Sequence, residues 1–346
     1  YSDETVAAGG VVNQLLNLVF ILYGITTLGT SVLCAQYLGA RQKKNVAQVI
    51  GVSLLANLLM GLAVSAGLFF FAQPSLKLMG LDENLIGYGV SYMKIVGGFS
   101  FLQALSMTLS AILRSHNKAY YPMFVTLLIN IVNVVGNYFL IFGHFGAPRL
   151  GITGAGISTS ASRLIAVCLL AYLLFKKVTP FPALKLFKPF PWDKIKNLLI
   201  IGLPAAGEQV SYNCSQVLIT YFSVMLGTAA LTARTYAMSI VMFSYVFSIA
   251  IGQGAAISIG HLIGEERDNA AFSVEKYSIK LAMVVTVCIS ILTALVGTNI
   301  FKMLSSNPEV ISIGATVLYI DVLLEIGRAV NITSVNSLNA AGDVMY

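Results

Sequence analysis

The sequence predicts an all-α integral membrane protein. Hydrophobic residues occupy 57% and charged residues 10% of its 346 positions, whereas soluble domains carry about 25% charged residues. The mean hydropathy is +0.82. Runs such as VSLLANLLMGLAVSAGLFFF are apolar on every face, which excludes the alternating pattern of an outer-membrane β-strand and favours helices.

Nine apolar segments are each long enough to cross a hydrocarbon core of about 30 Å. In chain order they cover approximately residues 12–37, 47–72, 87–113, 121–142, 156–175, 197–226, 233–263, 272–301 and 310–339. The connections between them are short and leave no room for a separate soluble domain. The membrane segments must therefore carry the function.

The basic residues of the loops predict the orientation in a cytoplasmic membrane. Twelve Lys and Arg residues fall in alternate loops, at 39–46, 114–120, 176–196 and 264–271, and three fall in the other set. The positive-inside rule makes the richer set cytoplasmic and places residue 1 outside. The net charge of +7 follows largely from this bias, so the expected contact is the lipid bilayer and not a nucleic acid.

Residues that could form a catalytic or metal centre do not cluster in the sequence. The four cysteines lie inside apolar segments without CxxC spacing, and no histidine has a partner at metal-ligand spacing. An enzyme would need an assembled nucleophile, base or metal set. We therefore expect no enzyme activity, no cofactor and no metal beyond a transported sodium ion.

The sequence repeats itself at a constant offset of 225 positions, without a gap. The identical pairs include Gly29 with Gly254, Gly39 with Gly264, Lys77 with Lys302, Gly89 with Gly314, Ala104 with Ala329 and Tyr121 with Tyr346. Unmatched segments at both ends of the overlap predict twelve helices in all. One would precede residue 1 and two would follow residue 346, so we expect the chain to be a fragment.

The repeat predicts two six-helix lobes related by a pseudo-two-fold axis along the membrane normal. We assign residues 1–178 to an N-terminal lobe that lacks its first helix. Residues 197–346 form a C-terminal lobe that lacks its last two helices. Four prolines break any long helix in the segment 179–196, which we interpret as a cytoplasmic linker.

Five stretches of the sequence together resemble one transporter family. They are AQYLGARQKKNVAQVI, LNAAGDVMY, NIVNVVGNYFLIFG, LGITGAGISTSASRLI and IGLPAAGEQVSYN. Their order and spacing are similar to those of the multidrug and toxic compound extrusion (MATE) family, from its second to its tenth helix. The resemblance implies twelve helices in two lobes, antiport of organic cations against sodium ions or protons, and a cation site in the second lobe.

Three charges occupy one face of the last apolar segment. Asp321, Glu325 and Arg328 are spaced by four and three residues, which places them within about 60° of arc on a helix. A lone charge at the bilayer centre costs about 2.5–3.5 kcal/mol, so this face should turn toward protein or a wet cavity. Arg328 is a structural charge partner for one or both carboxylates, and a negative charge remains for a cation.

A second carboxylate follows Pro204 in the segment 197–226. Glu208 lies four residues beyond the proline, which bends the helix and frees carbonyl groups, and Tyr212 follows one turn later. Glu208 either hydrogen-bonds a neighbouring helix in its protonated form or binds a cation. We expect Glu208 to lie near the Asp321 and Glu325 face, with Arg328 and Glu325 as scaffold and Glu208 and Asp321 as site. The cation and substrate site is assigned to Glu208, Asp321, Glu325, Tyr212, Gln216 and Asn331.

Other polar residues within the membrane have weaker signals. Asn130, Asn133 and Asn137 form an amide stripe suited to interhelical hydrogen bonding. Candidates to line a cavity are Asn13, Gln14, Asn17 and Asn133. Arg163 is expected to cap carbonyl groups or to pair with an acid. Lys94 can reach outward to the interface and Arg234 lies just inside the outer surface, so neither requires a functional role.

These observations favour a secondary active antiporter that exports organic cations from the cell by alternating access of two lobes. We expect it to act as a monomer. The alternative is a flippase for lipid-linked saccharides of the same superfamily, which would have a strongly cationic central cavity. The membrane-embedded acids of the second lobe argue against that alternative.

Overall fold

The computed structural model describes residues 3–144, 148–182 and 187–344, and within these ranges it contains helices and no β-strand. The helices are α1 (Asp3–Gly39), α2 (Lys43–Phe70), α3 (Ala72–Leu78), α4 (Glu83–Val96), α5 (Ser100–Ser115), α6 (Tyr120–Phe142), α7 (Gly151–Leu173), α8 (Trp192–Met225), α9 (Thr228–Gly264), α10 (Asp268–Leu304) and α11 (Pro308–Ala341). A short π-helical segment, Leu174–Val178, continues α7.

All nine predicted apolar segments lie on helices. Seven helical segments of the described chain, on α1, α2, α6, α7, α9, α10 and α11, are individually long and apolar enough to cross a membrane. The bent pair α4–α5 would make an eighth span. Helix α8 is not among them, because charged residues at its start and polar side chains around Glu208 dilute its apolar content. The all-α membrane class is confirmed, and the number of nine spans stays a prediction.

The apolar segment predicted over residues 87–113 is a bent pair of helices. Helices α4 and α5 meet at a bend of 44°, and the residues between them begin with the pair Gly97 and Gly98. Consecutive glycines weaken a helix and are a common cause of kinks. A Cβ atom on Gly98 would collide with the carbonyl oxygen of Lys94, so the local backbone requires a residue without a side chain.

The backbone repeats at the offset that the sequence predicts. Helix α9 begins and ends 225 positions after α1, and α10 begins 225 positions after α2. The left-handed residues follow the same rule: φ is +57° at both Arg41 and Glu266, and it is +57° at Asn117 and +90° at Gly342. The internal repeat is thus confirmed in the described helices, whereas the arrangement of two six-helix lobes stays a prediction.

A repeated glycine shows that side-chain packing is duplicated as well. A Cβ atom on Gly89 would lie 3.0 Å from Leu76, and one on Gly314 would overlap the ring of Phe301. Phe301 follows Leu76 by the same 225 positions, and both side chains are fully buried. Both copies therefore need a glycine where a large apolar side chain crosses the helix.

The chain divides into two compact units. The first unit comprises residues 1–38 and 42–206, and the second comprises residues 39–41 and 207–346. One apolar core of the first unit joins α1, α3 and α4 through residues such as Leu16, Leu76 and Met93. The second unit has a core of α9, α10 and α11 that includes Phe301 and Leu318. The lobe boundary at the linker 179–196 stays a prediction.

Candidate cation site in the second unit

The three charges of α11 meet as expected from their spacing. Arg328 Nη1 donates to Glu325 Oε1, and Arg328 Nη2 donates to Asp321 Oδ1 at 3.1 Å. The side chains of Asp321 and Glu325 are 7% and 0% exposed, and that of Arg328 is 30% exposed. Arg328 thus pairs with both carboxylates. With all three groups ionised, this charged triad carries one surplus negative charge.

The triad also contacts an aromatic ring of α9. The guanidinium carbon of Arg328 lies 5.8 Å from the centre of the Tyr245 ring, a distance at which the face of the ring attracts a cation. Two carboxylates on its own helix and this ring hold the guanidinium. Sequence spacing could not find Tyr245, because the contact depends on how α9 packs against α11.

One oxygen of the triad has no hydrogen-bond partner among the described residues. Glu325 Oε2 is buried and accepts no hydrogen bond within the described residues. The same holds for three buried hydroxyl oxygens of the second unit, those of Ser244, Ser248 and Thr333. A buried polar atom without a partner costs about 1–3 kcal/mol. A proton or a small cation on Glu325 Oε2 would remove that cost for this atom.

The repeat explains part of this deficit. The counterpart of Thr333 in the first unit is Thr108, whose hydroxyl accepts a hydrogen bond from Asn57 Nδ2. Asn57 is fully buried and also accepts a hydrogen bond from Thr26. Its counterpart in the second unit is Ala282, so the amide that donates to the threonine hydroxyl is missing there. Thr108 also donates to the Ala104 carbonyl oxygen at 2.9 Å. We did not single out these hydroxyl residues from the sequence, although the 225-residue offset marks their positions.

The structure shows no bond between Glu208 and the charged triad. Glu208 and Tyr212 are exposed on α8, and Glu208 forms neither a hydrogen bond nor an ion pair within the ranges that the structure describes. Its proposed proximity to Asp321 and Glu325 therefore stays a prediction. Asn331 is exposed on α11. It lies about 60–120° around the helix from the three charges.

Gln216 is hydrogen-bonded to Arg234 of α9, and its assignment to the cation and substrate site stays a prediction. Its Oε1 atom accepts a hydrogen bond from Arg234 Nη2 at 2.9 Å, and Thr220 Oγ1 accepts one from Arg234 Nη1 at 2.6 Å. Arg234 therefore ties the end of α8 to the start of α9. We expected Arg234 to need no role, and this contact gives it a structural one.

The amide stripe of the first unit makes interhelical bonds, as predicted. Asn133 Nδ2 lies 3.4 Å from Ser158 Oγ and 3.3 Å from Thr159 Oγ1, and Asn137 Nδ2 donates to Asn133 Oδ1 at 3.2 Å. Asn130 is exposed.

The polar residues of α1 lie at the surface of the first unit. Asn13, Gln14 and Asn17 are exposed, and Asn13 Oδ1 accepts a hydrogen bond from the Tyr92 hydroxyl at 3.4 Å. Their role as cavity lining stays a prediction.

The expectation for Arg163 was wrong. Its guanidinium lies 5.4 Å from the centre of the Phe20 ring, and its buried Nη1 atom has no hydrogen-bond partner among the described residues. The sequence contains no Asp or Glu between residues 84 and 192, so the helices around it offer no acid for an ion pair. Lys94, by contrast, is exposed and lies 5.6 Å from the Phe69 ring centre.

Within the described residues, no group of three or more His, Cys, Asp or Glu side chains could hold a metal ion. A sodium ion in the second unit would therefore need hydroxyl, amide or backbone oxygens in addition to the carboxylates of α11. Such oxygens are ordinary ligands for hard cations.

Comparison with known proteins gives a consistent result. The family model described as MatE matches residues 1–139 and 204–346. The chain is 40% identical over 346 residues to the Uncharacterized transporter YisQ of Bacillus subtilis (strain 168), covering 100% of this chain and 76% of that protein. It is 24% identical over 349 residues to the Probable multidrug resistance protein NorM of Thermotoga maritima, covering 100% and 74%.

The fold is similar to that of a solved structure described as MATE in the bent conformation. The TM-score is 0.91 at 20% identity, over 99% of this chain and 75% of that one. This similarity supports the all-α membrane fold. The chain spans about three quarters of the length of each of these proteins.

Proposed function

Because the chain belongs to the MatE family of transporters, we propose that it exports organic cations, drugs among them, in exchange for sodium ions or protons. The family is one of multi-pass membrane transporters, so the chain is not an enzyme. The name of the Thermotoga maritima relative, a probable multidrug resistance protein, supports drugs as substrates.

The observation that carries the proposal is the charged triad of α11 with its unpartnered carboxylate oxygen. Two buried carboxylates face one guanidinium, and Glu325 Oε2 has no donor in the described chain. A surplus negative charge in a low-dielectric region attracts a cation strongly. The driving proton or sodium ion would bind at Glu325 and Asp321 and neutralise that charge.

Exchange requires the driving cation and the substrate to compete for binding. A ligand shifts a conformational equilibrium only through its different affinities for the two states. We propose that the driving cation binds better to the outward-open state and there displaces the organic cation, while the lobes 1–178 and 197–346 alternate. Glu208, Tyr212, Gln216 and Asn331 would contact the substrate. The monomer would be sufficient, since the whole triad lies on one helix of one chain.

The test is transport by the purified protein in proteoliposomes with an imposed sodium or proton gradient. Ethidium movement should follow one gradient, and Glu325→Gln and Asp321→Asn should each reduce it at least about tenfold, the effect of roughly 1.4 kcal/mol. Glu309→Gln is the matched control, because Glu309 is an exposed acid in the first turn of the same helix. Gradient-driven transport that survives both triad substitutions would refute the assignment of the site.

The flippase alternative predicts a different substrate in the same vesicles. A fluorescent lipid-linked saccharide would then change leaflet while ethidium would not move. The carboxylates of the triad favour the cation exporter, because they would repel the phosphate groups of such a lipid.

A further inference from the structure

The segment that joins α7 to α8, residues 174–196, presents positive charge with little acid to balance it. Four lysines in its described part are exposed: Lys176, Lys177, Lys188 and Lys196. None of the four forms an ion pair with a described residue. The sequence has no Asp or Glu between residues 84 and 192, and Asp193 Oδ2, on the next acid, lies 3.1 Å from Lys194 Nζ. The segment therefore offers a positive surface to an anion.

The same segment exposes two aromatic rings. Phe175 and Phe181 form an edge-to-face pair with ring centres 4.9 Å apart, and Phe190 and Trp192 form another at 4.9 Å. One ring of each pair is largely exposed, Phe181 at 69% and Trp192 at 71%. Trp192 and Lys196 are one helical turn apart at the start of α8, so they share a face of that helix. Aromatic rings beside lysines are typical of the membrane–water interface, where the ring enters the apolar layer and the ammonium group stays among the headgroups.

The first lysines of the segment lie at the end of a membrane span. The helical segment Gly151–Val178 is long and apolar enough to cross a membrane, and Lys176 and Lys177 occupy its last turn. Tyr172, one turn before Lys176, is also exposed. These lysines therefore lie at headgroup depth and not in a loop that extends into the cytoplasm.

The rest of the segment is held close to the helices of the first unit. A Cβ atom on Gly51 of α2 would overlap the ring of Phe187, and Gly51 lies about 12 Å along α2 from its first residue. At the start of α8, Lys194 Nζ donates to the Tyr37 hydroxyl of α1 at 3.1 Å and lies 4.7 Å from the centre of that ring. These two contacts fix the segment against the bundle, so its exposed lysines and rings stay near the boundary of the bilayer.

We propose that this linker surface, formed by the four exposed lysines with Phe181 and Trp192, binds anionic phospholipids of the leaflet that it faces. The ammonium groups contact lipid phosphates, and the two rings contact the upper part of the acyl chains. Charge complementarity selects an anionic lipid over a zwitterionic one. The exposed rings and the position of Lys176 and Lys177 in the last turn of a span favour a lipid over a soluble acidic protein. This lipid site goes beyond the proposed export function and does not depend on it.

The test uses Trp192, the only tryptophan of the sequence, as the reporter. Its fluorescence is measured for the purified protein in nanodiscs that mix phosphatidylglycerol with phosphatidylcholine. Either one lipid or the other carries bromine at the acyl carbons nearest the headgroup, because bromine quenches tryptophan on contact. From the quenching at several lipid ratios, the wild type should prefer phosphatidylglycerol by at least about tenfold, since one lysine near an anionic surface contributes about fivefold. Salt at about 1 M should reduce this preference, because the Debye length is then about 3 Å.

The double variant Lys176→Gln with Lys177→Gln should lower the preference for phosphatidylglycerol at least about fivefold. Quenching by brominated phosphatidylcholine should remain, because the rings are unchanged. The matched control is Lys276→Gln with Lys280→Gln, which removes the same charge from two exposed lysines of α10. Lys276 also lies near an aromatic ring, at 4.2 Å from the centre of Phe272. This control should leave the preference at Trp192 unchanged.

Equal quenching of the wild type by the two brominated lipids would refute the proposal, and this comparison needs no variant. Quenching by neither lipid, together with strong quenching by aqueous acrylamide, would place Trp192 in water and assign the surface to a soluble occupant. An unchanged preference in Lys176→Gln with Lys177→Gln, or an equal loss in the α10 control, would show that these lysines do not select the lipid. Loss of ethidium transport in proteoliposomes would overturn the export function alone, because the quenching measures no transport.

Discussion

Removing both carboxylates of the charged triad should destabilise the protein by more than the sum of the two single losses. Asp321→Asn or Glu325→Gln each removes one charge-assisted hydrogen bond, valued at about 1.5–3 kcal/mol. Each also removes the surplus negative charge, and Arg328 keeps the other carboxylate. We therefore expect each single substitution to cost only about 1 kcal/mol, after this partial compensation.

The double variant leaves Arg328 without either partner, and an uncompensated buried charge costs about 3–5 kcal/mol. The coupling between the two sites should then be at least about 1 kcal/mol. Adding Arg328→Gln to the double variant should recover most of the loss, because no charge remains. The measurement is the free energy of unfolding of the purified protein by SDS in mixed micelles, for the wild type and all variants.

Glu208→Gln is the control for this cycle, because Glu208 is exposed and has no bonding partner among the described residues. Its change in unfolding free energy should stay within about 0.5 kcal/mol. Strictly additive losses from the two carboxylates, or no recovery on removing Arg328, would refute the view that one guanidinium is shared by both acids.

Glu208→Gln should abolish ethidium efflux from cells at normal expression, because it removes an acid proposed to contact the substrate; wild-type efflux would place the substrate contact elsewhere. Gly314→Ala should cost about 1–3 kcal/mol by overpacking against Phe301, whereas Gly327→Ala in the same helix, with open space around its Cβ, should cost nothing. Equal unfolding free energies for these two variants would contradict the packing argument. Asn57→Ala should lower the unfolding free energy by about 1–3 kcal/mol, because the hydrogen bonds of the buried amide to Thr26 and Thr108 are lost; an unchanged value would show that the network adds no stability.

The sequence predicted those features of the site that depend on one helix. The spacing of Asp321, Glu325 and Arg328 determines their common face, because the pitch of a helix is fixed. Contacts between helices could not be predicted from the sequence. Tyr245 reaches Arg328 only through the packing of α9 on α11, and Glu208 could be placed on α8 but not relative to the triad.

For the fold as well, some features could be predicted from the sequence and others could not. The repeat was visible in scattered identities and recurs in the helix bounds and the left-handed residues. The bend between α4 and α5 was not predicted. Hydrophobicity averaged over a segment of about 27 residues hardly changes with two glycines, so the pair Gly97 and Gly98 did not stand out. The buried oxygens without a partner in the second unit could not be predicted from the sequence. The missing amide becomes visible only when Ala282 is compared with Asn57 at the equivalent position of the first unit.

Asn57 of the first unit, which is replaced by Ala282 in the second, affects the free energy that binding of an ion would cost in each unit. Around Asn57, an incoming cation would have to compete with hydrogen bonds already formed to Thr26 and Thr108. The Thr333 hydroxyl and Glu325 Oε2 have no hydrogen bond to another described residue that would first have to be broken. If the second copy of the duplicated bundle binds the driving ion as proposed, it can take up and release that ion without breaking a hydrogen bond of its own framework, whereas the first copy would have to break the bonds of Asn57.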